Sequence, residues 1–149
     1  MRNSIKIQTN IMKHIEKYNA GKEVKNTSYC YVEDKIFVTT DGVVGYIFNE
    51  VDFYIDKSKM NKVDGMKQIV DCDMSKQEPV EPIGCTQKID KEVAVELENK
   101  NFKVYLNEKL IERFGYVEDL TYYGKSSKSP VYVFEGEQLV GLIMPMRVN

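Results

Sequence analysis

The sequence predicts an α+β domain in which two helices cover one face of antiparallel sheet. Two observations carry that prediction. Apolar residues recur at helical spacing twice, as Ile11, Ile15 and Tyr18 and again as Leu106, Leu110 and Phe114. Each stripe follows a short alternating run and precedes several β-branched or aromatic runs broken by turn residues. The two ends of the chain therefore share one plan, a strand, a short helix and several strands, with no sequence identity between them.

The elements follow in order. Ile5 and Ile7 alternate with Lys6 and Gln8, which predicts a short opening strand. The first helix carries Ile11, Ile15 and Tyr18, with Thr9 or Asn10 as cap and Gly21 as stop. "SYCYVEDKIFVTTDGVVGYIF" reads as successive strands turned at Glu33-Asp34 and Asp41-Gly42, and "VDFYID" reads as one more. Residues 57–90 are irregular or inserted: a short helix, then Pro79 and Pro82, which favour an extended or looping path. "VAVEL" and "NFKV" form a hairpin feeding "YLNEKLIERFG", the second helix, stopped at Gly115. "VEDLTYY" and "SPVYVFEGEQLVGLIMPM" supply three last strands, with Glu135-Gly136 at a hairpin turn. The organisation is a single domain over 1–149, with halves at 1–56 and 91–149.

Composition sets the class. In 149 residues, 42% are hydrophobic and 30% charged, enough for one sizeable core and unlike a disordered or membrane-spanning chain. No apolar stretch reaches bilayer length, and "MRNSIKIQTN" lacks the apolar core of a secretory signal. Cys30, Cys72 and Cys85 are odd in number and form no CxxC pair, as expected of free thiols in the cytoplasm. Charge is uneven. Residues 1–28 hold six basic residues against two acidic ones, and residues 29–56 hold six acidic residues against Lys35. A basic opening helix on an acidic body attracts a polyanion locally.

Catalytic patterns are thin. Gly124-Lys125-Ser126 lacks the P-loop glycine five residues earlier, where Asp119 stands, and there is no GxGxxG or GxSxG. His14 is the single histidine and lies on a helix flank. Asp71-Cys72-Asp73 has no nearby histidine or paired cysteine to complete a metal site. The expectation is a protein that is not an enzyme and uses no cofactor.

The ending, "SPVYVFEGEQLVGLIMPMRV", resembles the C-terminus of the bacterial sliding clamp, the beta subunit of DNA polymerase III, where a final hairpin leads into a Met-Pro-Met/Val-Arg tail. "NFKVYLNEKLIERFG" is similar to that family's strand-to-helix step, and "KIFVTTDGVVGYIF" to its Thr-Asp-Gly segment. Together these cover roughly two thirds of the chain. Departures stand beside them: Val43-Val44-Gly45 replaces the family's His-Arg-Leu, 57–90 has no counterpart, and one domain stands where the bacterial clamp has three.

The resemblance implies a DNA-clamp-like domain of two βαβββ halves and a role in DNA replication as a processivity factor. Helix flanks would face double-stranded DNA without sequence preference, through Lys13, His14 and Lys17 and through Lys109 and Arg113. A shallow pocket for short polymerase or partner peptides would use Thr40, Gly42, Val43, Val44, Leu142, Met144, Pro145, Met146 and Arg147. Ring formation would require homo-oligomers. The alternative is a clamp-fold interaction module or decoy, of phage or mobile-element origin, that binds clamp partners without encircling DNA.

Overall fold

Helix α1 (Ile5–Ala20) opens the described part of the chain in this computed structural model, which covers residues 5–20, 27–40, 42–66 and 74–147. The class is α+β. The chain divides into two compact units, Ser4–Cys72 and Asp73–Asn149 with the first three residues. The division falls inside the stretch that the sequence marks as irregular.

In the N-terminal unit α1 buries Ile11, Met12 and Ile15 and exposes Lys13, Glu16 and Lys17. The expected opening strand does not form, because the helix already begins at Ile5. Ile7 stands four residues before Ile11, as Ile11 stands before Ile15, so the helical stripe runs further back than three alternating residues suggest. Three strands follow as a meander: β1 (Thr27–Val32), β2 (Lys35–Thr40) and β3 (Val44–Asn49), paired antiparallel in sequence order. The predicted turns hold. Glu33 takes φ 58° at the first and Gly42 φ 70° at the second. The central residues of β2 and all of β3 except Asn49 are buried, so both strands are covered on both faces.

"VDFYID" is not a strand. Its first residues belong to a 3-10 turn (Glu50–Asp52), and the rest is extended without a ladder partner among the described residues. The alternation is real, since Phe53 and Ile55 are buried while Asp52, Tyr54 and Asp56 are exposed. It reports one buried face, which an unpaired segment satisfies as well as a strand does. Phe53 packs 5.2 Å from Phe48, centroid to centroid. The two-residue β4 (Asn61–Lys62) then pairs parallel with β1, so the sheet is mixed rather than wholly antiparallel.

The C-terminal unit holds β5 (Glu78–Ile89), β6 (Glu92–Glu98), β7 (Lys103–Asn107), α2 (Glu108–Glu112), β8 (Thr121–Gly124), β9 (Val131–Glu135) and β10 (Gln138–Ile143). Its strand order is β10-β9-β8-β5-β6-β7. The region expected to be irregular thus contains the longest strand among the described residues. Pro82 is tolerated because the register shifts between Pro82 and Thr86, with Gly84 at φ 80° within that irregularity, and Pro79 is the second residue of the strand, before pairing with β6 begins. The strand changes neighbours along its length, pairing with β8 over Glu78–Val80 and with β6 from Glu81 onward.

The second helix is shorter than its stripe predicts. Leu106 belongs to β7, the helix packs back toward β6 and β7 with Ile111 buried, and Phe114 is buried in the turn that follows it. Asn107 caps α2 by accepting the Lys109 N–H at 2.9 Å. The backbone leaves at Gly115, φ 146°. From β7 to β10 the order is βαβββ. The six strands also curl: Met146, three residues beyond β10, donates its N–H to the Tyr105 carbonyl in β7 at 2.7 Å. Three residues reach only about 10 Å, so the two ends of the strand order approach each other.

Candidate functional site: the cleft beneath the C-terminal tail

β10 ends at Ile143 because Pro145 has no N–H for a continuing ladder. The tail turns across to β7, where the Met146–Tyr105 hydrogen bond holds it. Met144, Pro145 and Met146 are half-buried, Arg147 is exposed, and Leu142, within β10, is buried. With Lys103, Tyr105, Ser127 and Lys128, the four tail residues line a cleft of about 300 Å³.

The rim is built by local chemistry. Ser126 Oγ accepts the N–H groups of Lys128 and Ser129, both at 3.2 Å, and shares a 2.8 Å hydrogen bond with Ser129 Oγ. That turn presents Ser127 and Lys128 to solvent. The segment whose spacing fails as a phosphate loop thus becomes one wall of the cleft. Lys103 stands 3.8 Å from the half-buried Glu96 and 3.9 Å from the exposed Glu98, both long and weak pairings. Lys128 and Arg147 make no ion pair with a described residue. Thioether and proline walls with three cations suit an apolar side chain accompanied by a carboxylate.

Sequence reasoning names the tail but not Lys103, Tyr105, Ser127 or Lys128. Nothing in the sequence links β7 to a tail some forty residues away. The other expected pocket residues lie in the N-terminal unit. Thr40 and Val44 face each other in register and are sealed from solvent, at 2% and 1% exposure, while Gly42 and Val43 project at the turn.

The residues expected to meet DNA divide between the units. Lys13 and Lys17 are exposed one turn apart on α1, with His14 half-buried between them. In the other unit Lys109 Nζ lies 3.7 Å from Glu92 Oε2, beyond hydrogen-bond reach, and Arg113 is a half-buried helix C-cap. Glu108 and Glu112 offset these two cations within α2 itself. Asp71, Cys72 and Asp73 lie outside the described residues. Of the other cysteines, Cys30 is buried and Cys85 exposed. Among the described residues no helix is long and apolar enough to cross a membrane.

No family model, no curated protein and no solved structure matches this chain.

Proposed function

We propose that this protein is a sliding-clamp-like, non-enzymatic docking protein whose tail cleft receives short peptides of polymerases or other replication partners. One observation carries the reading. The Met-Pro-Met-Arg tail, the most specific element of the resemblance, forms a wall of a peptide-sized cleft instead of closing a core. The βαβββ order from β7 to β10 supports a clamp-like second half. Half-buried methionines beside fixed backbone give an adaptable apolar surface, as suits a site that accepts several partners.

The test uses labelled short peptides that pair leucine or phenylalanine with a carboxylate. Binding is expected, and Met146→Ala weakens it about fivefold, the loss of roughly 1 kcal/mol of apolar contact. Unchanged affinity removes the tail from the site.

A second reading, a homo-oligomeric ring around DNA, rests on the exposed Lys13 and Lys17 above the buried Ile11, Met12 and Ile15. It requires retention on circular DNA and loss from linear DNA, together with an oligomeric mass in solution. A monomer that binds the peptides without topological retention leaves the docking module alone.

A further inference from the structure

A second cleft, of about 450 Å³, opens in the C-terminal unit between the start of β5 and the segment leading into β8. Its walls are Pro79, Pro82, Val117, Leu120, Tyr122 and Tyr123. Polar groups in those walls are mostly committed. The Tyr122 hydroxyl donates to the Val117 carbonyl at 2.7 Å, the Pro79 carbonyl accepts from Asn99 Nδ2 at 3.2 Å, and the prolines have no N–H. Tyr123 is held edge-on by Phe134, ring centroids 5.3 Å apart. The floor is therefore an apolar and aromatic surface with few hydrogen bonds to offer.

Charge enters only at the rim, and with one sign. Glu81 and Glu118 line the cleft and are exposed, and no cation lines it. Neither carboxylate is ion-paired among the described residues. Glu98, opposite Glu81 in the β5–β6 register, has Lys103 Nζ 3.9 Å away, whereas Glu81 has no such cation beside it among the described residues. The negative field reaches the floor as well. Burial first, and the Glu118 charge second, hold the Tyr122 phenol well above its ordinary range. β8 leaves β5 after Val80, so the cleft lies where the outer edge of β5 loses that neighbour.

We propose that this cleft binds a short basic peptide segment of a partner protein, seating a lysine or arginine between Glu81 and Glu118 and an adjacent apolar residue on the floor formed by Pro79 and Tyr123, which face each other in register. Charge complementarity selects the occupant. Nucleic acid is repelled by the rim, and an acidic peptide meets the same repulsion. Proline and tyrosine surfaces favour the aliphatic stem of the cation as well as its head. The chemistry is opposite to that of the tail cleft, so the two sites select different ligands.

The test is fluorescence anisotropy of the full chain with a short capped peptide alternating leucine with arginine, beside a twin with glutamate for arginine. The basic peptide binds, its affinity falls with salt, and its twin does not bind. E81Q/E118Q, which keeps side-chain volume, weakens binding about fivefold to tenfold. Thr121→Lys, a cation at an exposed position lining the cleft, abolishes it. Met146→Ala leaves it unchanged, which separates this site from the tail cleft. Absence of wild-type binding, equal affinity for the twin, indifference to E81Q/E118Q, or loss in Met146→Ala overturns the proposal.

Discussion

Tyr122 joins several threads at the scale of one residue. Its ring is 1% exposed, and its hydroxyl anchors the 3-10 turn (Val117–Asp119) that walls the second cleft. Tyr122→Phe keeps the packing and leaves the Val117 carbonyl without its donor, a cost of about 1 kcal/mol in urea unfolding at neutral pH. The pH dependence follows from the raised phenol. The folded state favours the neutral form more than the unfolded chain does, whose phenol titrates near 10. This contribution is therefore fully present below pH 10 and is lost as pH rises beyond it. Wild-type stability falls above that pH, and Tyr122→Phe removes this part of the decline. An equal decline in both proteins contradicts the assignment.

At the scale of elements, the sequence is legible where periodicity and turn chemistry agree. Glu33-Asp34, Gly42 and Gly136 (φ 62°) mark three turns, and the strands between them lie close to their expected places. Two misreadings share a cause. Ile5–Ile7 and Leu106 each carry apolar spacing that fits both a strand and a helix, and only neighbouring chain decides between them. β5 is hidden for another reason: prolines argue against a central strand, and the partner of its first residues, β8, lies some forty residues further along the chain. The tail cleft is half legible for the same reason, since Met144–Arg147 are contiguous while Tyr105 and Lys128 arrive through folding. Helix α2 gives a direct measurement. With five residues it depends on its cap and on Ile111 and Phe114. Asn107→Ala should cost about 1 kcal/mol and Phe114→Ala about 3–5 kcal/mol in denaturant unfolding. If both changes are silent, α2 is not anchored as described.

For the whole molecule, the net charge of −2 says little, because its distribution is uneven. Lys13 and Lys17 are exposed cations of the basic opening segment, whereas the cations of α2 are balanced by Glu92, Glu108 and Glu112. If the protein holds DNA, α1 carries more of the contact than α2. Lys13→Glu with Lys17→Glu should then abolish binding and flatten its dependence on salt, measured as affinity against ionic strength. Lys109→Glu should change it less. The reverse ranking would exclude α1 as the contacting helix.

The contrast between the two strand orders has a consequence for how the chain is born. β1 pairs with β2 and β2 with β3, each the next strand to emerge, so these hairpins can close while synthesis continues. β5 cannot complete its surroundings so early, since Glu78–Val80 wait for Tyr122–Gly124 to leave the ribosome. During that interval a long, proline-bearing strand has β6 as its nearest partner and one unguarded flank. Chaperone dependence and nascent-chain aggregation should therefore concentrate in the later half of translation.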